Sequence, residues 1–162
     1  MLNNYYSAIC REVKQLQPKL PILFSPATFY YPNRDQEAFD FLFNIFQGCP
    51  VDIICPQDSI GVMGNQLVHL PDTFAVWQKV CKEIGAELWV NAESFELHRT
   101  GTTQDFVPAD FKRLAVQLAQ ARRVAQKIVS WEVPYFHSPL AGERGMKLRQ
   151  AYLASLADGE RD

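Results

Sequence analysis

Apolar and polar positions follow one another along this chain at two spacings, one helical and one extended. Residues 2–16 repeat apolar side chains at helical intervals, which predicts an amphipathic helix that ends before Pro18. The apolar run at residues 22–27 is typical of a strand covered on both faces. A polar turn at residues 31–35 and a helix over residues 36–47 are predicted next. The chain therefore begins with a helix and continues with a strand-then-helix unit.

This strand-then-helix unit recurs three more times. Predicted strands cover residues 51–55, 87–91 and 127–133, and the predicted helices after them cover residues 72–84, 108–125 and 142–156. Asp72 after Pro71 is the predicted N-cap of the first of these helices, and Pro108 is placed in the first turn of the second. Strands that alternate with helices require crossover connections. The pattern therefore predicts a parallel sheet covered by helices, in a single α/β domain over residues 1–162.

The connections between the predicted elements are unequal in length. Helices lead into strands through a few residues, whereas strands lead into helices through long segments at residues 56–71, 92–107 and 134–141. Long loops at the carboxyl ends of parallel strands build the site in a (β/α) barrel and in an open doubly wound sheet. A complete barrel takes about 250 residues. We therefore expect a partial, half TIM-type (β/α) barrel with four parallel strands, each followed by a helix, plus the leading helix.

Composition narrows the classes of partner. The 162 residues carry a net charge of -2 and 48% hydrophobic side chains, which argues against disorder and against binding to nucleic acid or anionic membranes. The N-terminal residues lack a basic, apolar leader, and no stretch approaches the roughly 18 apolar residues of a spanning helix. We expect a soluble, cytoplasmic protein. The cysteines form no C-x-x-C pair and are predicted to be buried free thiols: Cys10, Cys49, Cys55 and Cys81.

Candidate chemistry lies on the third predicted strand. Side chains alternate between the two faces of a strand, so Trp89, Asn91 and Glu93 share one face, and the apolar residues between them share the other. The apolar face suits packing against helices. The other face brings an amide and a carboxylate to the carboxyl end of the strand, where we expect the site.

Carboxylates recur at the ends of the neighbouring strands. In the last strand the alternation groups Ser130 with Glu132, and Asp58 follows the second strand directly after Gln57. Neighbouring strands lie about 4.8 Å apart, so Asp58, Glu93 and Glu132 are expected within the roughly 5 to 9.5 Å that glycoside hydrolysis requires of its carboxyl pair. The alternative is that these groups cap helices or form ion pairs at the rim, with these partners: Arg99, Arg144 and Lys147.

Aromatic residues accompany the carboxylates at the strand ends. Trp89, Trp131 and Tyr135 are predicted to line the site, because the apolar faces of sugar rings stack on aromatic side chains. The alternative is that these rings belong to the core. Three histidines lie in three different loops, but their spacing matches no zinc pattern, and we expect no metal and no other cofactor: His69, His98 and His137.

Three ordered segments carry a family resemblance. Residues 52–62 (DIICPQDSIGV), 88–96 (LWVNAESFE) and 127–132 (KIVSWE), with Ser138-Pro139, resemble the bacterial family called domain of unknown function 4434. The resemblance runs from about residue 20 onward and includes two residues of the helix predicted over residues 108–125: Arg113 and Gln117. It implies a TIM-barrel relative of the glycoside hydrolases.

The family motifs map onto this chain with two departures. The family's Gln-Asp-Gly-Ile-Gly motif falls on residues 57–61, with Ser59 in place of the usual glycine. Its Trp-x-Asn-x-Glu-x-Phe motif is intact on residues 89–95. Where the family tends to have Asn-His-Tyr before Ser-Pro, this chain has residues 134–136 (PYF), so polar groups of the last loop are lost.

Two functional hypotheses follow. The first is a glycosidase-like site in which Glu93 is the nucleophile or base, Glu132 or Asp58 is the acid, and Gln57 and Asn91 hold sugar hydroxyls. Trp89, Trp131 and Tyr135 would then form the walls. The second hypothesis is a non-catalytic carbohydrate-binding module or a degenerate structural half barrel. A half barrel exposes two sheet edges, so we also expect self-association or the absence of an N-terminal barrel half.

Overall fold

A computed structural model describes residues 2–28, 34–100 and 103–159. The helices are α1 (Leu2–Leu16), α2 (Asp35–Phe46), α3 (Ile60–Met63), α4 (Leu70–Ile84), α5 (Phe111–Ala121), α6 (Val133–Phe136) and α7 (Gly142–Gly159). The strands are β1 (Leu23–Phe24), β2 (Ile53–Ile54), β3 (Glu87–Glu93), β4 (Phe95–Thr100), β5 (Thr103–Pro108) and β6 (Lys127–Trp131). The predicted turn at residues 31–35 lies mostly outside the described residues, which resume at Arg34.

Four parallel strands form the main sheet in the order β1, β2, β3, β6. The prediction of a parallel sheet covered by helices is confirmed. β1 and β2 contain only two residues each, fewer than the predicted runs. A proline follows each strand two residues after its end, and Pro26 and Pro56 lack the N–H group that a longer ladder would need.

The core lies between the sheet and its helices. Leu88, Val90 and Ala92 on β3 are buried in three successive apolar clusters. Leu88 packs with Trp77 of α4, and Ala92 packs with Leu114 of α5. The predicted division of β3 into a helix-facing row and a second, polar row is therefore confirmed. Because the apolar row is buried against the helices, the row of Trp89, Asn91 and Glu93 lies on the other face of the sheet.

The segment predicted as a loop over residues 92–107 instead contains most of β4 and β5, which pair as an antiparallel hairpin with Phe95 opposite Pro108. The period-two alternation of apolar and polar residues through β4 is typical of a strand. The placement of Pro108 in a helix is wrong, because this residue ends β5. Helix α5 begins at Phe111 after Asp110, whose carboxylate accepts a hydrogen bond from the Lys112 backbone N–H at 2.7 Å.

The predicted start of α4 is wrong by two residues. The helix begins at Leu70, and Asp72 lies in its first turn, so it does not act as the N-cap. Pro71 occupies the first turn as well, where a missing N–H costs no intrahelical hydrogen bond. Asp72 still interacts favourably with the helix dipole from this position.

All four cysteines are buried free thiols, as predicted. Burial raises the pKa of the Cys55 thiol to about 11 and that of the Cys81 thiol to about 12. The pKa of Cys10 is also raised, chiefly by burial. Among the described helices, none has the length and apolar character needed to cross a bilayer.

Candidate functional site

A cleft of about 640 Å³ opens at the carboxyl ends of the parallel strands. Its lining includes the following polar and aromatic residues: Ser25, Gln57, Asn91, Trp131, Glu132 and Tyr135. The backbone of Gln57 forms a parallel bridge with Asn91, which extends the β2–β3 pairing into the cleft wall. The cleft therefore lies where the loop asymmetry predicts a site.

Two aromatic rings form one wall of the cleft. Trp131 is 39% exposed and Tyr135 is 46% exposed, so each ring keeps a face open to a ligand. Phe95 supports Trp131 in an edge contact with ring centroids 6.0 Å apart, and Phe136 supports Tyr135 in the same way at 5.0 Å. These edge contacts restrain the rings without covering them.

The face assigned to β6 from its sequence is wrong. The expectation grouped Ser130 with Glu132 on the site face, but Trp131 pairs with Glu93 in the parallel register and Ser130 pairs with Ala92 of the helix-facing row. Alternation separates the two rows of a strand but does not say which row faces the helices. Glu132 reaches the cleft because it lies beyond the strand, at the N-cap position of α6.

Asp58 is completely buried beside the cleft. Its Oδ2 accepts a hydrogen bond from Gln117 Nε2, and its Oδ1 accepts the backbone N–H groups of Ile60 at 3.2 Å and Glu93 at 3.3 Å. Burial raises the pKa of Asp58 to about 6, because desolvation outweighs these hydrogen bonds. The carboxyl group joins β2, β3 and α5.

Glu93 is also completely buried. Its Oε2 accepts backbone N–H groups of Gly61 at 2.7 Å and Val62 at 2.9 Å, at the start of α3. Its Oε1 is buried and has no hydrogen-bond partner among the described residues. Burial, and then the nearby Asp58 carboxylate, raise the pKa of Glu93 to about 7 against the effect of the two N–H donors.

The structure divides the predicted acids into two groups. Asp58 and Glu93 lie together in the interior, joined by the hydrogen bond from the Glu93 backbone N–H to Asp58. Glu132 is exposed and lines the cleft with Gln57 and Asn91. Neither Asp58 nor Glu93 is among the described residues that line the cleft, so the two groups of acids do not share its surface.

Two side chains of α5 position the carboxyl end of β3, although the sequence assigns no role to them. Arg113 Nη2 donates to the backbone carbonyls of Glu93 at 3.2 Å and Phe95 at 2.6 Å, and Gln117 Nε2 donates to the Glu93 carbonyl at 3.3 Å. Arg113 Nε lies 3.5 Å from Glu96 Oε1. The signal in the sequence is the spacing of four residues, which puts Arg113 and Gln117 on one helix face.

Trp89 lies on the same face of β3 as Asn91 but nearer the amino end of the strand. Its Nε1 donates to Glu87 at 2.9 Å, and Lys127 Nζ lies 4.6 Å from the centroid of its ring. Trp89 therefore contacts a lysine on the neighbouring strand. It precedes Asn91 by two residues on β3 and is not among the described residues that line the cleft.

Rim cations contact other acids than the three predicted for the site. Arg144 binds Glu96 at 2.8 Å, and Lys147 binds Glu143 at 2.6 Å within α7. Throughout residues 2–28, 34–100 and 103–159, no three side chains of the metal-ligating types converge.

A second cavity, of about 350 Å³, lies on the helix side of the sheet between α1, α2 and α4. Tyr6, Leu42 and Trp77 contribute to a lining that is mostly apolar. None of the predicted site residues borders it within the described part of the chain. The polar groups of the strand ends are gathered in the cleft instead.

Comparisons with known proteins place this geometry in context. A family model described as "Domain of unknown function (DUF4434)" matches residues 1–142. No curated protein matches the chain. Among solved structures, the chain is similar to a crystal structure described as a putative alpha-L-fucosidase from Bacteroides thetaiotaomicron VPI-5482, with 25% sequence identity and a TM-score of 0.74. The match covers 92% of this chain and 48% of that one, so this chain spans about half the length of the similar protein.

Proposed function

This chain belongs to the family Domain of unknown function (DUF4434), and from that premise we propose that it is a carbohydrate-active protein of the glycoside-hydrolase type. The carrying observation is the cleft, in which the half-exposed rings of Trp131 and Tyr135 lie beside Gln57, Asn91 and Glu132. Aromatic faces stack on sugar rings, and amides and carboxylates bind sugar hydroxyls. Similarity to a protein described as a putative alpha-L-fucosidase supports the same class of ligand.

Within this proposal, Glu132 is the first candidate for a catalytic carboxylate, because it is exposed in the cleft. Glu93 lies on the strand next to β6, and its pKa of about 7 suits a proton donor at neutral pH. The buried Oε1 of Glu93 has no partner among the described residues, whereas Oε2 is held by α3. Asp58 takes a supporting part, since it binds Gln117 and its carboxylate adds to the effect of burial in raising the pKa of Glu93. Trp89 packs against Lys127 and is not among the described residues that line the cleft, so we assign it no contact with the ligand.

Turnover of aryl glycosides tests this assignment. A panel of nitrophenyl glycosides that includes α-L-fucosides is incubated with the wild-type protein and with Glu132→Gln and Glu93→Gln. We expect hydrolysis by the wild type and a loss of at least about a hundredfold in kcat in each variant, the scale of acid–base catalysis. Gln150→Leu, at an exposed position of α7, is the control and should keep wild-type turnover. Full activity in both carboxyl variants would remove these residues from the mechanism.

The burial of Asp58 and Glu93 favours a second candidate, a non-catalytic sugar-binding module. Glu132 is the one acidic side chain among the described residues that line the cleft, whereas glycoside hydrolysis normally uses two. Calorimetric titration separates the two functions. Binding of oligosaccharides without any turnover supports the module, and binding with turnover supports the enzyme. The absence of both contradicts a carbohydrate function.

We further propose that the sheet is half of a (β/α) barrel. β1 and β6 are its outer strands, and Leu23 and Val129 on these strands remain about 40% exposed. A barrel closes with eight strands, so two such sheets complete one. We expect two copies of the chain to associate through these strands, and light scattering at tens of micromolar measures the mass. A monodisperse monomer contradicts the half barrel.

A further inference from the structure

Ser25 and Asn91 are joined by a hydrogen bond that crosses the end of β2. Asn91 Nδ2 donates to Ser25 Oγ at 3.3 Å. Ser25 follows β1 directly and Asn91 belongs to β3, so the two residues come from strands that are not neighbours in the sheet. Both residues line the cleft. The bond therefore couples the first strand to the polar row of the third at the place where a ligand would bind.

The other side of the Asn91 amide lacks a partner. Asn91 Oδ1 is buried and accepts no hydrogen bond from the described residues. Buried polar atoms in native proteins are almost always paired. Ser25 accepts one proton of the Asn91 nitrogen, and the oxygen is the acceptor left for a ligand. The cleft thus contains an acceptor that its own side chains do not satisfy.

The charge of the cleft restricts what can bring the matching donor. Glu132 is the charged residue among the described side chains of the lining. A carboxylate repels uronates and sulfated sugars, and it accepts hydrogen bonds from hydroxyl groups. A neutral, hydroxyl-rich ring satisfies both Glu132 and the free oxygen of Asn91, and its apolar face fits Trp131.

Resting on the proposed carbohydrate function, we infer that Ser25 is a positioning residue: it holds the Asn91 amide so that Oδ1 accepts a hydroxyl of a neutral sugar. Ser25 acts through Asn91, because its oxygen receives one of the two amide protons. The carboxylate of Glu132 in the same cleft favours neutral sugars over anionic ones of the same size.

A measurement without ligand tests the orientation of the amide. In the ¹⁵N-labelled protein, we expect a nuclear Overhauser effect between the Asn91 Nδ2 protons and the Ser25 β protons. In Ser25→Ala, we expect a changed Asn91 Nδ2 shift and faster exchange of these protons with water, with the backbone spectrum otherwise preserved. Absence of the contact in the wild type, or an unchanged Asn91 side chain in Ser25→Ala, overturns the positioning role.

A binding measurement tests the consequence. The probes are methyl glycosides of glucose, galactose, mannose and fucose, together with methyl glucuronide as the anionic counterpart. We expect Ser25→Ala to raise the Kd for neutral glycosides about tenfold, the loss of one hydrogen bond. Ser25→Thr keeps the hydroxyl and should bind within about twofold of the wild type. Ser155→Ala removes a hydroxyl from α7, outside the cleft lining, and is the control that should bind like the wild type.

Combining variants separates positioning from direct contact. In an Asn91→Ala background, Ser25→Ala should change the Kd by less than about twofold, because coupled residues are not additive. Additive losses overturn the inference, and so does equal binding of methyl glucuronide and methyl glucoside. If none of the methyl glycosides binds, the proposed carbohydrate function fails, and the ligand-free spectrum alone decides whether Ser25 orients Asn91.

Discussion

Gln117 of α5 donates a hydrogen bond to Asp58, and neither side chain has any exposed surface. The contact spans 59 residues of sequence and fastens the loop after β2 to the helix layer. The same amide also donates to the Glu93 carbonyl. One glutamine therefore holds together two of the strand ends that border the cleft.

Replacement of Gln117 by leucine should destabilise the fold. Gln117→Leu leaves Asp58 Oδ2 buried without a donor, which is expected to cost about 2 kcal/mol of unfolding free energy. Urea denaturation measures the change. Gln150→Leu, at an exposed position of α7, is the matched control and should change the unfolding free energy by less than about 0.5 kcal/mol. Equal stability of the two variants contradicts a stabilising role for the Gln117–Asp58 bond.

Stability should fall as the pH rises from 5 to 8. The folded-state pKa of Glu93 is about 7 and that of Asp58 about 6, both above the ordinary values of 4.5 and 3.8 for these side chains. A carboxyl whose pKa is raised by folding stabilises the protein below its unfolded pKa, and this contribution is lost as the pH rises through the folded value. We expect Glu93 alone to account for a loss on the order of 3 kcal/mol.

Denaturation curves at several pH values test whether the free energy of unfolding falls as the pH rises. Glu93→Gln replaces the titrating carboxyl by a neutral amide, so its unfolding free energy should vary less between pH 5 and pH 8 than that of the wild type. Glu143→Gln, at an exposed position of α7, is the control and should keep the wild-type slope over this range. A wild-type protein that is more stable at pH 8 than at pH 5 contradicts the prediction.

His137 should make stability depend on pH in the opposite direction, because its contribution is lost as the pH falls. The ring is buried against Tyr152 with centroids 5.1 Å apart, and burial lowers its pKa from 6.5. A histidine with a lowered pKa stabilises the fold above its unfolded pKa, and this contribution is lost as the pH falls below about 6.5. His137→Phe keeps an aromatic ring and should remove this acid sensitivity in thermal melts. An unchanged acid limb in the variant rules out His137 as its source.

Ser59 adopts a left-handed backbone conformation, with φ of 56°. Its side chain accepts the Thr28 backbone N–H at 3.1 Å, so the residue combines backbone strain with a buried hydrogen bond. Ser59→Ala and Ser59→Gly both lose the bond, but only glycine relieves the strain. We expect Ser59→Gly to be more stable than Ser59→Ala by about 1 kcal/mol in urea.

A serine within a helix is the control for this comparison, because alanine and glycine should there have the opposite order of stability. At Ser155 in α7, alanine should be more stable than glycine by about 1 kcal/mol, because glycine is unfavourable within a helix. The same order of alanine and glycine at both positions would mean that the backbone of Ser59 is unstrained.

Gly61 is expected to tolerate no side chain. A Cβ atom there would lie 2.1 Å from the backbone oxygen of Phe95 and 3.1 Å from Glu93 Oε2. Gly61→Ala must push α3 away from β4, at a cost of about 3 kcal/mol. Gly48→Ala has open space but a φ of +69°, and it should cost about 1 kcal/mol. Thermal denaturation that ranks Gly48→Ala as the more harmful change contradicts this close approach.

The sequence predicts the sheet far better than it predicts the loops. Hydrophobic spacing places β3 and assigns Leu88 and Val90 to the helix side, because burial on that side leaves a two-residue period. The hairpin of β4 and β5 is missed, although its residues alternate, because the strand-then-helix repeat favours a loop there. The same repeat misplaces the start of α5 by three residues.

The sequence predicts where the cleft lies but not how its neighbouring carboxylates are surrounded. Alternation correctly places Glu93 with Asn91 on one face of β3, yet it cannot reveal that α3 folds over Glu93 and buries it. That contact joins residues 32 positions apart and depends on the path of the whole loop. For the same reason, no local pattern indicates that Ser25 reaches Asn91 across 66 positions.

The four enclosed sulfhydryls can be used to detect local unfolding of the protein. Alkylating reagents attack thiolates at the surface, and at neutral pH the high pKa values of Cys55 and Cys81 keep these groups protonated as well as hidden. Iodoacetamide can therefore modify a sulfur atom only after local unfolding has exposed it. Because the chain carries these natural probes in both its N-terminal helix and its central layers, the labelling rate of each one tells which part of the molecule loosens first.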